Sequence, residues 1–147
     1  MCEIVESPLD EGYRILEHPA DVGVEAWGSN LSTAFEEAAL GLVSIIVDPL
    51  TVEALEQRFV SITGTDRENL LVRWLSEIVY WYDGEDFLVA DVRISSISDV
   101  GLQALLRGEP RSEIKHRLRM DVKAVTYHQL SVRELEGGYH VKFFLDV

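Results

Sequence analysis

The chain has a single cysteine, four prolines and half as many basic as acidic residues, so several functional classes drop out at once. Cys2 alone forms no internal disulfide and no cysteine-based zinc centre. No apolar run approaches the roughly 20 residues that cross a bilayer. The start, Met1-Cys2-Glu3-Ile4-Val5-Glu6, lacks the basic stretch and apolar block of a secretory leader, so a soluble, cytoplasmic protein is expected. No paired-cysteine motif, phosphate-cradling glycine loop or nucleophile–base pair appears, since Gly41 and Gly101 stand isolated and Gly137-Gly138 reads as a turn.

What is present is acid and apolar bulk. Twenty-six acidic against thirteen basic residues give a net charge of −13, and 47% of the 147 residues are apolar. That length reads as a single domain over residues 1–147, with 1–10 a flexible tail and enough core to fold alone. Such a charge repels a phosphate backbone, so no strong direct nucleic-acid binding is expected, and a basic protein partner or metal cations are favoured. The densest basic stretch, residues 111–123 with Lys115, His116, Arg117 and Arg119, reads first as a solvated strand face.

Alternating and helical periodicities organise the chain without repeats or linkers. Strands are expected over 13–16, 22–27, 57–63, 87–94, 102–107, 117–127, 129–135 and 139–147, the last two forming a hairpin at Gly137-Gly138. One helix starts at Asn30 or Ser32, carries Leu31, Ala34, Phe35, Ala38, Leu42, Ile45 and Ile46, and stops at Asp48-Pro49. A second is capped by Thr65 or Asp66, carries Leu70, Leu71, Trp74, Leu75, Ile78, Val79 and Tyr82 inward, and closes at Asp83-Gly84. Trp74 and Trp81 fall where core aromatics fall. Two helices on one face of largely antiparallel sheet layers define an α+β fold.

Candidate chemistry starts at His18-Pro19-Ala20-Asp21, a turn leading into the strand that begins at Val22. In the last strand Val141, Phe143 and Leu145 take one face, leaving His140, Lys142 and Asp146 on the other. The same parity in 117–127 points Leu118, Met120, Val122 and Ala124 inward and Asp121 and Lys123 outward. Asp21, Asp146 and the terminal carboxylate of Val147 are hard oxygen donors that suit Ca²⁺, Mg²⁺ or Mn²⁺, whereas His18 or His116 would shift the choice toward a transition metal. From these residues alone, a turn cap at Asp21 and a solvated Asp146 are the better readings.

The motifs resemble a known family. The opening is similar to the archease signature His-x-Ala-Asp-hydrophobic-Gly, followed by the small-residue helix Thr33-Ala34-Phe35-Glu36-Glu37-Ala38-Ala39. Val122-Lys123-Ala124-Val125-Thr126-Tyr127-His128 resembles the family's most recognisable block, and Phe144-Leu145-Asp146-Val147 its terminus. The resemblance implies an α+β sandwich of strand-helix-strand-strand type and an accessory protein, not an enzyme. It would promote GTP-dependent guanylylation and multiple turnover of an RtcB-type RNA ligase in tRNA splicing and RNA repair. It also implies metal ligation by Asp21 and Asp146 beside the Val147 carboxylate, with Lys123 and, more weakly, His116 as functional candidates. Pro19 stands where threonine is common and Val147 where isoleucine is. Two other classes remain open: a metal-dependent nucleotide hydrolase using the same carboxylates, and a general protein-interaction or chaperone module.

Overall fold

The computed structural model describes residues 11–17 and 21–147. Its elements run β1 (Gly12–Glu17), β2 (Val22–Gly28), α1 (Leu31–Ile46), β3 (Glu56–Thr63), α2 (Arg67–Glu85), β4 (Phe87–Ile97), β5 (Gly101–Pro110), β6 (Ala124–Leu135) and β7 (Gly138–Asp146). A short 3-10 turn, Pro49–Thr51, follows α1. The strands form two antiparallel sheets, ordered β1-β2-β7-β6 and β3-β5-β4. The α+β expectation holds, and the strands divide so that both helices touch both sheets.

Local chemistry explains the helices. Asn30 starts α1, its side chain accepting the Thr33 N–H at 2.8 Å. At the head of α2, Asp66 accepts the Asn69 N–H at 2.8 Å while Asn69 Oδ1 accepts the Thr65 N–H at 3.0 Å. One first-turn donor and the N–H just before the cap are thereby satisfied reciprocally. α1 is buried through Leu31, Ala34, Phe35, Ala38, Leu42 and Ile46, and α2 through Leu70, Leu71, Trp74, Leu75 and Ile78. Trp74 sits wholly in the core and donates its indole N–H to Phe35 O at 2.9 Å, locking the helices together. Trp81 is half-buried against the same core.

Two expectations are corrected. α2 does not close at Asp83-Gly84; it continues to Glu85 and ends at Asp86, held in the left-handed region at φ 52°. More consequentially, residues 117–123 are not a strand. Only Leu118 bridges, to Val47. The reason is at the end of α1, where the last carbonyls have no intrahelical partner. The Arg119 N–H donates to Ile46 O at 2.8 Å and its guanidinium to Ser44 O at 2.9 Å, while Asp48 N–H donates to Arg117 O. The segment serves as a helix cap, and strand parity lapses with it. Leu118, Met120 and Ala124 are exposed, not inward, and only Val122 of the four is buried.

Candidate functional site at the end of the four-stranded sheet

β7 behaves as its alternation predicts, with Val141, Phe143 and Leu145 buried and Asp146 exposed. Its partners then decide what meets Asp146. Val22 pairs with Leu145 as the outermost rung of β2 and β7, so Asp21 and Asp146 are the next residues outward on adjacent strands. On the other side Ala124 pairs with Asp146, and the Lys123 N–H donates to Asp146 O at 2.8 Å. Asp21, Asp146, Lys123 and Val147 thus collect at one end of three neighbouring strands. Asp21 is half-buried, Asp146 and Lys123 are exposed, and none of the three has an ion-pair partner among the described residues. His18, Pro19 and Ala20 lie outside the described residues.

The rung beside the pair is tightly built. A Cβ on Gly23, which pairs with Phe144, would stand 2.7 Å from the Phe144 ring. Glycine there lets the ring lie flat over β2 next to Asp146. His128 meets the same ring in a T-shaped contact, with ring centroids 5.9 Å apart. That contact comes from a bulge: β6 pairs Thr126 with Phe144 and next Ser131 with Lys142, so Tyr127, His128, Gln129 and Leu130 face the single residue Phe143. Gln129 adopts φ 53° within it, and Tyr127 accepts a hydrogen bond from the Asn69 amide at 2.8 Å. Sequence reading missed this bulge; the polar triplet Tyr127-His128-Gln129 interrupting a strand was the available sign.

Among the described residues, the side chains at this sheet end that suit a metal are carboxylates. Among the described residues no group of three or more His, Cys, Asp or Glu side chains is placed to hold an ion. Asp21, Asp146 and the terminal carboxylate are oxygen donors of the kind a hard divalent cation takes.

His116 is elsewhere. It is buried, accepts the Ser112 N–H at its Nδ1 (2.8 Å), and lies 2.9 Å from Glu109 through Nε2. Because Nδ1 accepts, Nε2 carries the proton and donates it. Glu109, also buried, takes further hydrogen bonds from the Glu53 N–H and the Lys115 ammonium, both at 2.8 Å. Burial alone would raise the Glu109 carboxyl, but the donors from Lys115, His116 and Glu53 outweigh it and hold it at about 2. This hub, which sequence reading did not pick out, pins residues 111–116 to the head of the segment that delivers Lys123. Further along, the Tyr82 hydroxyl donates to Asp121 at 2.9 Å, and burial together with that carboxylate pushes the phenol up to about 12.

Comparison with known proteins then settles the kinship. A model of the archease protein family (MTH1598/TM1083) matches residues 13–147. The chain belongs to the archease family. It is similar to the protein archease of Sulfurisphaera tokodaii, 37% identical over 134 residues that cover 90% of this chain and 96% of that one. The protein archease of Methanosarcina mazei is 32% identical over 139 residues, covering 92% and 95%. The solution structure of Methanobacterium thermoautotrophicum protein 1598 superposes with a TM-score of 0.77 at 33% identity, covering 92% and 99%. The Thermotoga maritima crystal structure of an archease, possible chaperone, shares the fold at a TM-score of 0.60 and 18% identity, covering 91% and 96%. Among the described residues of this archease, no helix is long and apolar enough to cross a membrane.

Proposed function

We propose that this archease is a metal-binding accessory protein that activates an RtcB-type RNA ligase in tRNA splicing and RNA repair, without catalysing a reaction itself. The observation that carries the reading is the convergence of Asp21 and Asp146 at one sheet end, beside Lys123 and the terminal carboxylate. These acids present negative charge to the ligase active site and promote its GTP-dependent guanylylation, so that each ligase molecule turns over repeatedly. A divalent ion on this donor set would neutralise charge developing on transferring phosphates. Asp21 and Asp146 hold the donors at fixed spacing because adjacent paired strands carry them, and Lys123, bonded through its own N–H to Asp146, stands beside them as a cation.

The test uses ligase, GTP and Mn²⁺ at limiting ligase, with and without this protein. Wild type raises product beyond one turnover per ligase; Asp21→Ala and Asp146→Ala abolish that gain with unfolding midpoints unchanged. Equal stimulation by both variants would contradict the reading. The description of the Thermotoga maritima relative as a possible chaperone supports a second reading, a general protein-binding module. That reading predicts suppression of aggregation of unrelated unfolded proteins and indifference to Asp146→Ala.

A further inference from the structure

Between the end of the four-stranded sheet and the last turn of α1 lies an open groove of about 270 Å³, lined by Ile15, Glu17, Val22, Ser44, Ile45, Arg119 and Met120. Its floor is apolar, from β1, β2 and the last turn of α1. Along one rim runs the helix-capping segment, whose Leu118 and Met120 are 40% and 39% exposed. The rim continues onto the 3-10 turn, where Thr51 Oγ1 accepts the Arg117 N–H at 3.2 Å and the neighbouring Leu50 is 94% exposed. Nothing in the fold requires apolar side chains at these positions. The capping bonds come from Arg117 and Arg119, so polar side chains at 118 and 120 would leave the cap in place. Exposed apolar side chains gathered near one groove are characteristic of a surface that another molecule covers.

Charge decides which molecule. Glu17 stands in the groove without an ion-pair partner among the described residues, and the chain as a whole carries a net charge of −13. Arg119, the groove's cation, is spent internally on Ser44 O and lies 3.7 Å from Asp48. A phosphate backbone would meet an unpaired carboxylate, and no aromatic ring lines the groove to stack a base. An extended protein segment with an apolar residue flanked by lysine or arginine meets both demands.

We propose that this groove is a docking site for such a basic–apolar segment of the partner protein, separate in role from the aspartates that act on the partner. The proposal rests on the ligase reading above, and the ligase is the probe. Binding of the full chain to the ligase is measured by calorimetry or surface-based kinetics for wild type, Met120→Glu, Leu118→Glu, Met120→Leu and Asp21→Ala. The glutamate variants, at exposed positions, should keep the wild-type unfolding midpoint, bind at least about tenfold more weakly, and recover full stimulation at raised concentration. Met120→Leu should bind like wild type. Asp21→Ala should bind yet fail to stimulate at any concentration. Glutamate variants that bind within about twofold of wild type would overturn the docking site while leaving the ligase reading standing. Failure of wild type to bind the ligase would overturn both. Binding of an RNA half to wild type that Met120→Glu weakens would also overturn the proposal, because the groove would then be a nucleic-acid surface.

Discussion

Replacing Glu109 by glutamine probes the hub that fixes the segment leading to Lys123. The wild-type carboxylate, 6% exposed, takes three hydrogen bonds, from the Glu53 N–H, the Lys115 ammonium and the His116 ring. Glutamine keeps one accepting oxygen and turns an NH₂ toward a donor. Two charge-assisted bonds at about 1.5–3 kcal/mol each are weakened, although the ammonium is 38% exposed and solvent screening trims its share. The same donors lower the Glu109 carboxyl, which expresses their effect as a pH dependence. A carboxyl lowered from 4.5 to about 2 on folding stabilises the native state by about 3 kcal/mol when fully ionised. Since the folded value lies below the unfolded one, this stability is complete above about pH 4.5 and disappears as pH falls toward about 2. Urea unfolding followed by tryptophan fluorescence should therefore show Glu109→Gln destabilised by about 3 kcal/mol near neutrality, the gap closing through that acid window. The difference between the two proteins is the quantity to read, because other carboxylates protonate in both. A gap that stays constant down to the acid limb, or a variant as stable as wild type near neutrality, would refute the hub's role.

Three further outcomes follow from the same geometry. Gly23→Ala forces the Phe144 ring off β2, so it should cost about 1–3 kcal/mol in chemical denaturation and lower ligase stimulation, since Asp146 lies on the displaced strand. Gln129→Val puts a β-branched residue at φ 53° and should destabilise by about 1–2 kcal/mol, whereas Gln129→Gly should be neutral or mildly stabilising. Tyr82→Phe removes a phenol that ionises only toward about 12, so the alkaline absorbance titration should lose one late step. Because the folded phenol lies above its usual 10, its contribution is complete below about pH 10 and is lost as pH rises toward 12. The variant should lose about 1 kcal/mol near neutrality with its hydrogen bond to Asp121.

Much of this was readable from residue order because the cues are local. Asn30 and Asp66 announce their helices, Gly137 at φ 89° makes the β6–β7 turn, and the alternation of Val141, Phe143 and Leu145 fixes the faces of β7. Parity also exposed Asp146. It could not say which strand lies beside it, because pairing is a tertiary choice; only the register of Val22 with Leu145 brings Asp21 alongside. The alternation of Leu118, Met120 and Val122 misled for a comparable reason. Period-two hydrophobicity predicts a strand only when a neighbour offers a ladder, and here the end of α1 takes the Arg119 N–H and guanidinium instead. The basic stretch 111–123 likewise divides into hub, cap and rim, and Glu109, which organises the first of these, sits at the end of β5 beyond the view of any local motif.

The most direct test of the central claim counts products per ligase molecule in the presence of GTP and Mn²⁺, comparing wild type with Asp21→Ala and Asp146→Ala at saturating protein. Many products are expected with wild type and about one with either variant, each variant folding as wild type does. Multiple turnover supported by both variants would contradict it.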